Sequence, residues 1–170
     1  MNRIAIIGNI GGGKTTSARR LPEALSLPLY ELDQVLYSPW LRDTPRDEIM
    51  RRFRLILDTD QWIVEGVSET ATLEMIMEAA DTVVMIDLPL LSHYWRTACR
   101  RIKAIVTRKP SELPVLRGWR PALGQLVTIW RRHRQQVPQL RGALKSVGGG
   151  AAVYHLRSGK QLNSFTKRFG

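Results

Sequence analysis

Residues 8–16 read GNIGGGKTT, and this stretch constrains the fold more than any other in the chain. It fits G-x-x-x-x-G-K-[ST] with Gly8 and Gly13 as the fixed glycines, a spacing that wraps consecutive backbone N–H groups around phosphate oxygens. The glycines let the backbone come close. Lys14 then reaches the terminal phosphates as a point charge, and the Thr15 hydroxyl completes the shell of a Mg²⁺ that bridges them. Context separates this reading from a flexible glycine turn. Ahead of the loop lies RIAII, short, apolar and β-branched; behind it TTSARRLPEAL repeats its apolar positions at helical spacing. Strand, glycine loop and helix start is the arrangement in which free amides and the helix dipole hold anions.

A chain of 170 residues, 44% hydrophobic, builds one domain with a sizeable core and is too short for two ordinary ones, so residues 1–170 are expected to be a single nucleotide-binding unit. Only four apolar residues separate Arg3 from Gly8, and no apolar run approaches the roughly 20 residues of a membrane span. The single Cys99 allows neither an internal disulfide nor, by itself, a zinc site. A cytoplasmic location without membrane contact is the expectation. Charge is divided unevenly: residues 1–95 hold 9 basic and 14 acidic side chains, whereas 96–145 hold 13 basic ones against Glu112 alone. Such a half either binds nucleic acid non-specifically or gathers arginines around polyphosphate beside a solvated helix surface.

Along the chain, RIAII is followed by a helix from about Lys14 to Leu25 that Pro22 cuts or kinks, and LPLYELDQV reads as a second strand ending near Asp33. Thr44 is the expected cap of the next helix, with Pro45 at its first position, Asp47 and Glu48 in its first turn, and Ile49, Phe53, Ile56 and Leu57 on its apolar face. QWIVEGV is a third strand, stopped by a tight turn at Gly66; residues 69–80 form an amphipathic segment, and DTVVMIDLP a fourth strand. A helix over about Leu91 to Val106 precedes a proline-punctuated loop. Leu123, Leu126, Val127 and Trp130 then supply the apolar stripe of another helix, whose outer face carries Arg131, Arg132 and Arg134. GGG at 148–150 is a turn, AAVYHL a fifth strand and LNSFTKRF a closing helix. The alternation implies an α/β fold in three layers, a parallel sheet with helices on both faces.

Ligands in such sheets bind beyond the carboxyl ends of the strands. Four polar features fall there: the glycine loop, Asp33, Glu65 and Asp87. Asp33 can take the proton of an acceptor hydroxyl or bind the acceptor by hydrogen bonds; otherwise it caps a turn or helix. Glu65 can hold Mg²⁺ through water beside the phosphate loop; otherwise it is a strand-end residue bonded to the first helix. Asp87, before Leu88 and Pro89, reads as a structural turn residue ahead of a metal ligand. In IDLPLLSHYWRTACRR, Arg96 and Arg100 share a helix face, as a clamp on a transferring phosphate requires, while Arg101 points elsewhere.

The phosphate loop, the Asp-x-Pro strand end and the arginines that follow resemble the adenylate-kinase-like branch of P-loop kinases. More closely, IIGNIGGGKTT, LYELDQVLYSPWLRDTPRDEI, QWIVEGV, AADTVVMIDLP, the arginine helix and VYHLRSGKQLNSF are similar to the bacterial DNA topology modulation proteins, over nearly the whole chain. The resemblance implies a five-stranded sheet in order 2-3-1-4-5. It also implies ATP on Gly8, Asn9, Gly11, Gly12, Gly13, Lys14, Thr15 and Thr16, Arg96 and Arg100 near the nucleotide and the transferring phosphoryl, and an adenine contact from the Arg157–Gly159 loop. Tyr37, Trp40, Arg42 and Arg46 fall where the family places its acceptor, and residues 107–121 form a small lid. The chain departs from the pattern at its third strand: VEGVSET lacks the Asp-Gly-Phe-Pro-Arg run of adenylate kinases, and Glu65 and Val67 also differ from the Asp-Gly-Asn-Tyr-like run of the nearer group. The leading reading is a kinase passing a phosphoryl group from MgATP to a small-molecule or nucleotide acceptor; the alternatives are a nucleotide-dependent DNA-binding regulator and a slow NTPase.

Overall fold

The structure is a computed structural model, and it describes the chain outside residues 10, 20, 22–24, 38–43, 67–69, 108–118, 148–149 and 170, and outside the side chains of 33, 37, 70, 100, 101, 103–107, 119–122 and 146. The described elements run in the order β1 (Arg3–Gly8), α1 (Lys14–Ala18), β2 (Leu29–Glu31), α2 (Leu32–Tyr37), α3 (Arg46–Leu57), β3 (Trp62–Glu65), α4 (Thr70–Ala79), β4 (Thr82–Ile86), α5 (Leu90–Thr107), α6 (Trp119–Ser146), β5 (Ala152–Leu156) and α7 (Gly159–Phe169). The strands form one sheet in the order β2-β3-β1-β4-β5, every neighbouring pair parallel. This is the expected order. The central strand β1 lies between β3 and β4, with Ile6 paired to Glu65 on one side and Val84 on the other.

Near-continuous apolar strands are what burial on both faces requires, and alternate residues divide between two cores. Ala5, Ile7, Val64, Val83 and Met85 face one layer, packed with Leu32 and Leu36 of α2, Phe53 and Leu57 of α3, Ile76 of α4 and Val137 and Leu140 of α6. Ile4, Ile6, Ile63, Val84 and Ile86 face the other, closed by Ala18 of α1 and Leu162 and Phe165 of α7. Fully buried Trp62 donates its indole N–H to the Leu57 carbonyl at 3.2 Å, fixing the end of α3 to the start of β3.

Several boundaries differ from expectation. The second strand stops at Glu31 and the chain turns directly into α2, so Asp33 is the second residue of a helix and not the end of a strand. Helix α3 is entered through Pro45, with ψ 144° and no side-chain cap, so the expected Thr44 cap moves one residue; Asp47 and Glu48 do occupy its first turn. The largest correction is the roll of α6. Leu123 and Val127 are each 52% exposed and Trp130 45%, while Ile129, Val137 and Leu140 turn inward. The helix also continues through Pro138, which can donate no backbone hydrogen bond. The expected lid, residues 107–121, lies outside the described residues except where it joins the ends of α5 and α6.

Candidate functional site

β1 ends at Gly8 (φ 145°) and α1 begins behind Gly13, whose left-handed φ of 89° turns the chain into the helix. Only glycine takes these angles freely. Gly12 N–H donates to the Asn9 carbonyl at 3.3 Å, drawing the loop into a compact arch. Lys14 folds over that arch: its Nζ donates to the same Asn9 carbonyl at 3.1 Å and stands 3.8 Å from Glu65 Oε1. Thr15 donates its hydroxyl proton to Glu65 Oε2 at 3.0 Å. Lys14, Thr15 and Glu65 thus meet at the carboxyl ends of β1 and β3, the edge where the open sheet receives ligands. The bond from Glu65 to the first helix is present, and it brings together a hydroxyl and a carboxylate, the oxygen donors that Mg²⁺ would take. The pair fits the ion. Among the described residues no group of three His, Cys, Asp or Glu side chains is spaced to hold a metal without help from phosphate oxygens.

Helix α5 carries its polarity the wrong way round for a simple core helix. His93 and Thr97 are buried, while Leu91 and Trp95 are 78% and 71% exposed. The phosphate loop explains the inversion, because it rests on the polar side of the helix. A Cβ at Gly11 would lie 2.8 Å from Thr97 Oγ1, and one at Gly12 3.2 Å from the His93 ring. His93 Nε2 is in turn 3.1 Å from the Leu88 carbonyl. Arg96 reaches across to donate to the Gly12 carbonyl at 3.3 Å, and its other terminal nitrogen lies beside Gly159. Gly11, Gly13, Thr16, Trp95, Arg96, Thr97 and Cys99 line a cleft of about 380 Å³. Arg100 follows one turn later on α5, while its side chain and those of Arg101 and Asp33 lie outside the described residues.

Asp87 lies outside any turn and is bound by two side chains from far along the chain. Its buried carboxylate accepts from Arg141 Nε at 2.8 Å and Nη2 at 3.1 Å, and lies 2.8 Å from His155 Nε2. Burial pushes the carboxyl upward, but Arg141 and His155 together outweigh it and hold it below its ordinary value. Beyond the ring, Arg157 contacts His155 Nδ1 at 3.2 Å. Asn9, buried, donates its side-chain amide to the Ile129 carbonyl of α6 at 3.2 Å. Sequence reasoning did not single out His93, Ile129, Arg141 or His155. Arg141 is 54 residues from Asp87, and no local spacing encodes that meeting. Of the expected acceptor residues, 38–43 lie outside the described residues, and Arg46 opens α3.

No known family model matches the chain, and no curated protein matches it. Solved structures do. Shikimate kinase from Acinetobacter baumannii in complex with shikimate aligns with a TM-score of 0.59 at 15% identity, over 99% of this chain and 90% of that one. This is a P-loop kinase fold. A gluconokinase from Sinorhizobium meliloti aligns at 0.50 with 14% identity, over 99% of this chain and 89% of that one. The YorR protein of Bacillus subtilis, in complex with phosphorylated GDP, aligns at 0.52 with 14% identity over 97% and 92%. What the P-loop kinase fold shares with these chains is its architecture; the similarity to DNA topology modulation proteins rests on the sequence stretches alone. Among the described residues no helix is long and apolar enough to cross a membrane.

Proposed function

We propose that this chain is an ATP-dependent phosphotransferase acting on a small-molecule or nucleotide acceptor, with residues 1–170 as one domain and 107–121 as its small lid. The observation that carries the reading is the meeting of Lys14, Thr15 and Glu65 behind a glycine arch on the central strand. Backbone amides of Gly11 to Thr16 cradle the phosphates, and Lys14 leaves the Asn9 carbonyl for a phosphate oxygen. Thr15 and Glu65 would hold Mg²⁺, which would offset charge on the phosphates. Arg96 and Arg100 act on the transferring group, and Arg157 on the base. The acceptor hydroxyl gives its proton to Asp33 as its oxygen bonds to the γ-phosphorus, and the bond to the bridging oxygen of ADP breaks. Positioning and electrostatics supply most of such catalysis.

Two of the structural neighbours are named shikimate kinase and gluconokinase, which supports trying hydroxylated metabolites as acceptors beside nucleosides and nucleoside monophosphates. ATP turnover by the purified protein against these pools is expected to produce ADP only with the right pool, and Lys14→Ala to reduce that rate by at least about 100-fold. Turnover without any acceptor would favour an NTPase instead. Turnover appearing only with duplex DNA would favour the DNA-linked regulator, to which the basic stretch 96–145 lends its charge.

A further inference from the structure

Arg157, His155 and Asp87 form a chain of donors and acceptors whose direction is set by chemistry. Arg157 points Nε and Nη2 at His155 Nδ1, at 3.4 and 3.2 Å. A guanidinium has donors only, so Nδ1 carries a lone pair. On the opposite side of the ring, Nε2 lies 2.8 Å from Asp87 Oδ2, and an ionised carboxylate only accepts, so Nε2 carries the proton. The distances thereby assign Nδ1 as the acceptor and Nε2 as the donor in this arrangement. The charged groups around the ring are Asp87 from the end of β4, Arg141 of α6 bound to that same carboxylate, and Arg157 from the loop after β5. Because Arg141 already supplies Asp87 with a matching positive charge through two hydrogen bonds, the carboxylate does not require an imidazolium as its partner. A second ring proton would aim an N–H at the Arg157 guanidinium, donor against donor and cation against cation.

The backbone around Arg157 is braced separately. Its N–H donates to Gln161 Oε1 at 2.7 Å, and Gln161 N–H to Ser158 Oγ at 3.2 Å, so the turn itself is held by α7. Gly159 in this turn lies beside Arg96, which touches the phosphate loop at Gly12. The exposed Arg157 side chain thus takes its direction from the His155 ring, two residues from the Gly159 that adjoins Arg96.

We propose that His155 is a positioning residue for the nucleotide: its Nδ1 lone pair, presented because Asp87 holds Nε2–H, fixes the Arg157 guanidinium for the base, and protonation of His155 releases it. The inference rests on the ATP reading above and deepens it. It makes nucleotide affinity acid-sensitive at the base end of the site, while the phosphate end is unaffected.

The test compares binding of ATP and of inorganic tripolyphosphate by calorimetry between about pH 8 and about pH 5. Tripolyphosphate carries three linked phosphates and no base, and its extra terminal ionisation is the same whichever protein it meets, so the change of the ratio in the native protein relative to that in His155→Asn isolates the base contact. In the native protein the ratio is expected to fall about tenfold on acidification relative to that variant. His155→Asn, whose amide oxygen can stand near the place of Nδ1 and does not titrate, should keep the base contact at every pH. His155→Phe should show the low ratio throughout. Arg157→Gln, at an exposed position that does not threaten folding, should show it as well. A native ratio that changes with pH no more than that of His155→Asn, or a native-like ratio in Arg157→Gln, overturns the proposal while tripolyphosphate binding that depends on Lys14 leaves the phosphate site standing. If the native protein binds neither ligand, the ATP reading fails and this inference fails with it.

Discussion

Gly8 and Gly13 bound the same loop, yet they are constrained by different neighbours. A Cβ on Gly8 would collide with the backbone carbonyl of Ile86 on the adjacent strand, and that strand cannot move without opening the β1–β4 pairing. A Cβ on Gly13 would come 2.5 Å from Arg96 Nη1, the far end of a side chain that can swing away. Both positions also have the positive φ that L side chains resist. Gly8→Ala is therefore expected to lower folding stability by about 2–4 kcal/mol in urea titrations. Gly13→Ala should lose less stability and show its effect in weakened phosphate binding. At this scale the sequence was informative where chemistry is local. Lys14, Thr15 and the two fixed glycines sit in one spacing pattern, and Glu65 announces itself as a carboxylate between an apolar strand and a glycine. Asp87 was visible as a polar strand end but its role was not, because Arg141 and His155 reach it from helices and strands far along the chain.

Helix α3 and helix α6 show when periodicity can be read and when it cannot. α3 has one apolar face, and Ile49, Phe53 and Leu57 bury it as the spacing predicts. α6 has two candidate stripes: Leu123, Leu126, Val127 and Trp130 on one side, and Ile129, Val137 and Leu140 on another. Its roll is settled by groups outside the helix, the Asn9 amide on the Ile129 carbonyl and the Asp87 carboxylate on Arg141. The same holds for α5, which buries His93 and Thr97 under the phosphate loop and leaves Trp95 in solvent, a local rule broken where the site needs it. The consequence is measurable. Phe53→Ala should cost about 3–5 kcal/mol in chemical denaturation, as a fully buried aromatic does. Trp130→Ala, despite its size and its place in the expected stripe, should cost no more than about 1 kcal/mol, chiefly its stacking with Arg134 at 5.1 Å.

Across the whole molecule, four of the strands were legible because their apolar, β-branched runs are each punctuated by glycine, proline or an acidic residue, whereas their order in the sheet was implied only by the resemblance to P-loop kinases. The assembly of that sheet depends on Asp87, which ties β4, β5 and α6 together at one carboxylate. Its carboxyl is held below its ordinary 3.8, against burial, by Arg141 and His155. A depressed value in the folded state means the stabilisation is complete above the unfolded value and is lost as pH falls through the folded one. Acid unfolding is accordingly expected to begin below about pH 4, and Asp87→Asn should flatten that limb in pH-dependent melting while lowering stability near neutrality by about 1.5–3 kcal/mol. The placement of two tryptophans carries a consequence of another kind. Trp62, sealed at 0% exposure under α3, emits from an apolar interior until the chain comes apart, whereas Trp95 stands 71% open at the rim of the cleft beside Gly11 and Gly13. One indole is a gauge of the fold and the other of whatever enters the cleft, so a variant with the other three of the five tryptophans replaced by phenylalanine separates unfolding from occupancy by its own fluorescence, without an added dye.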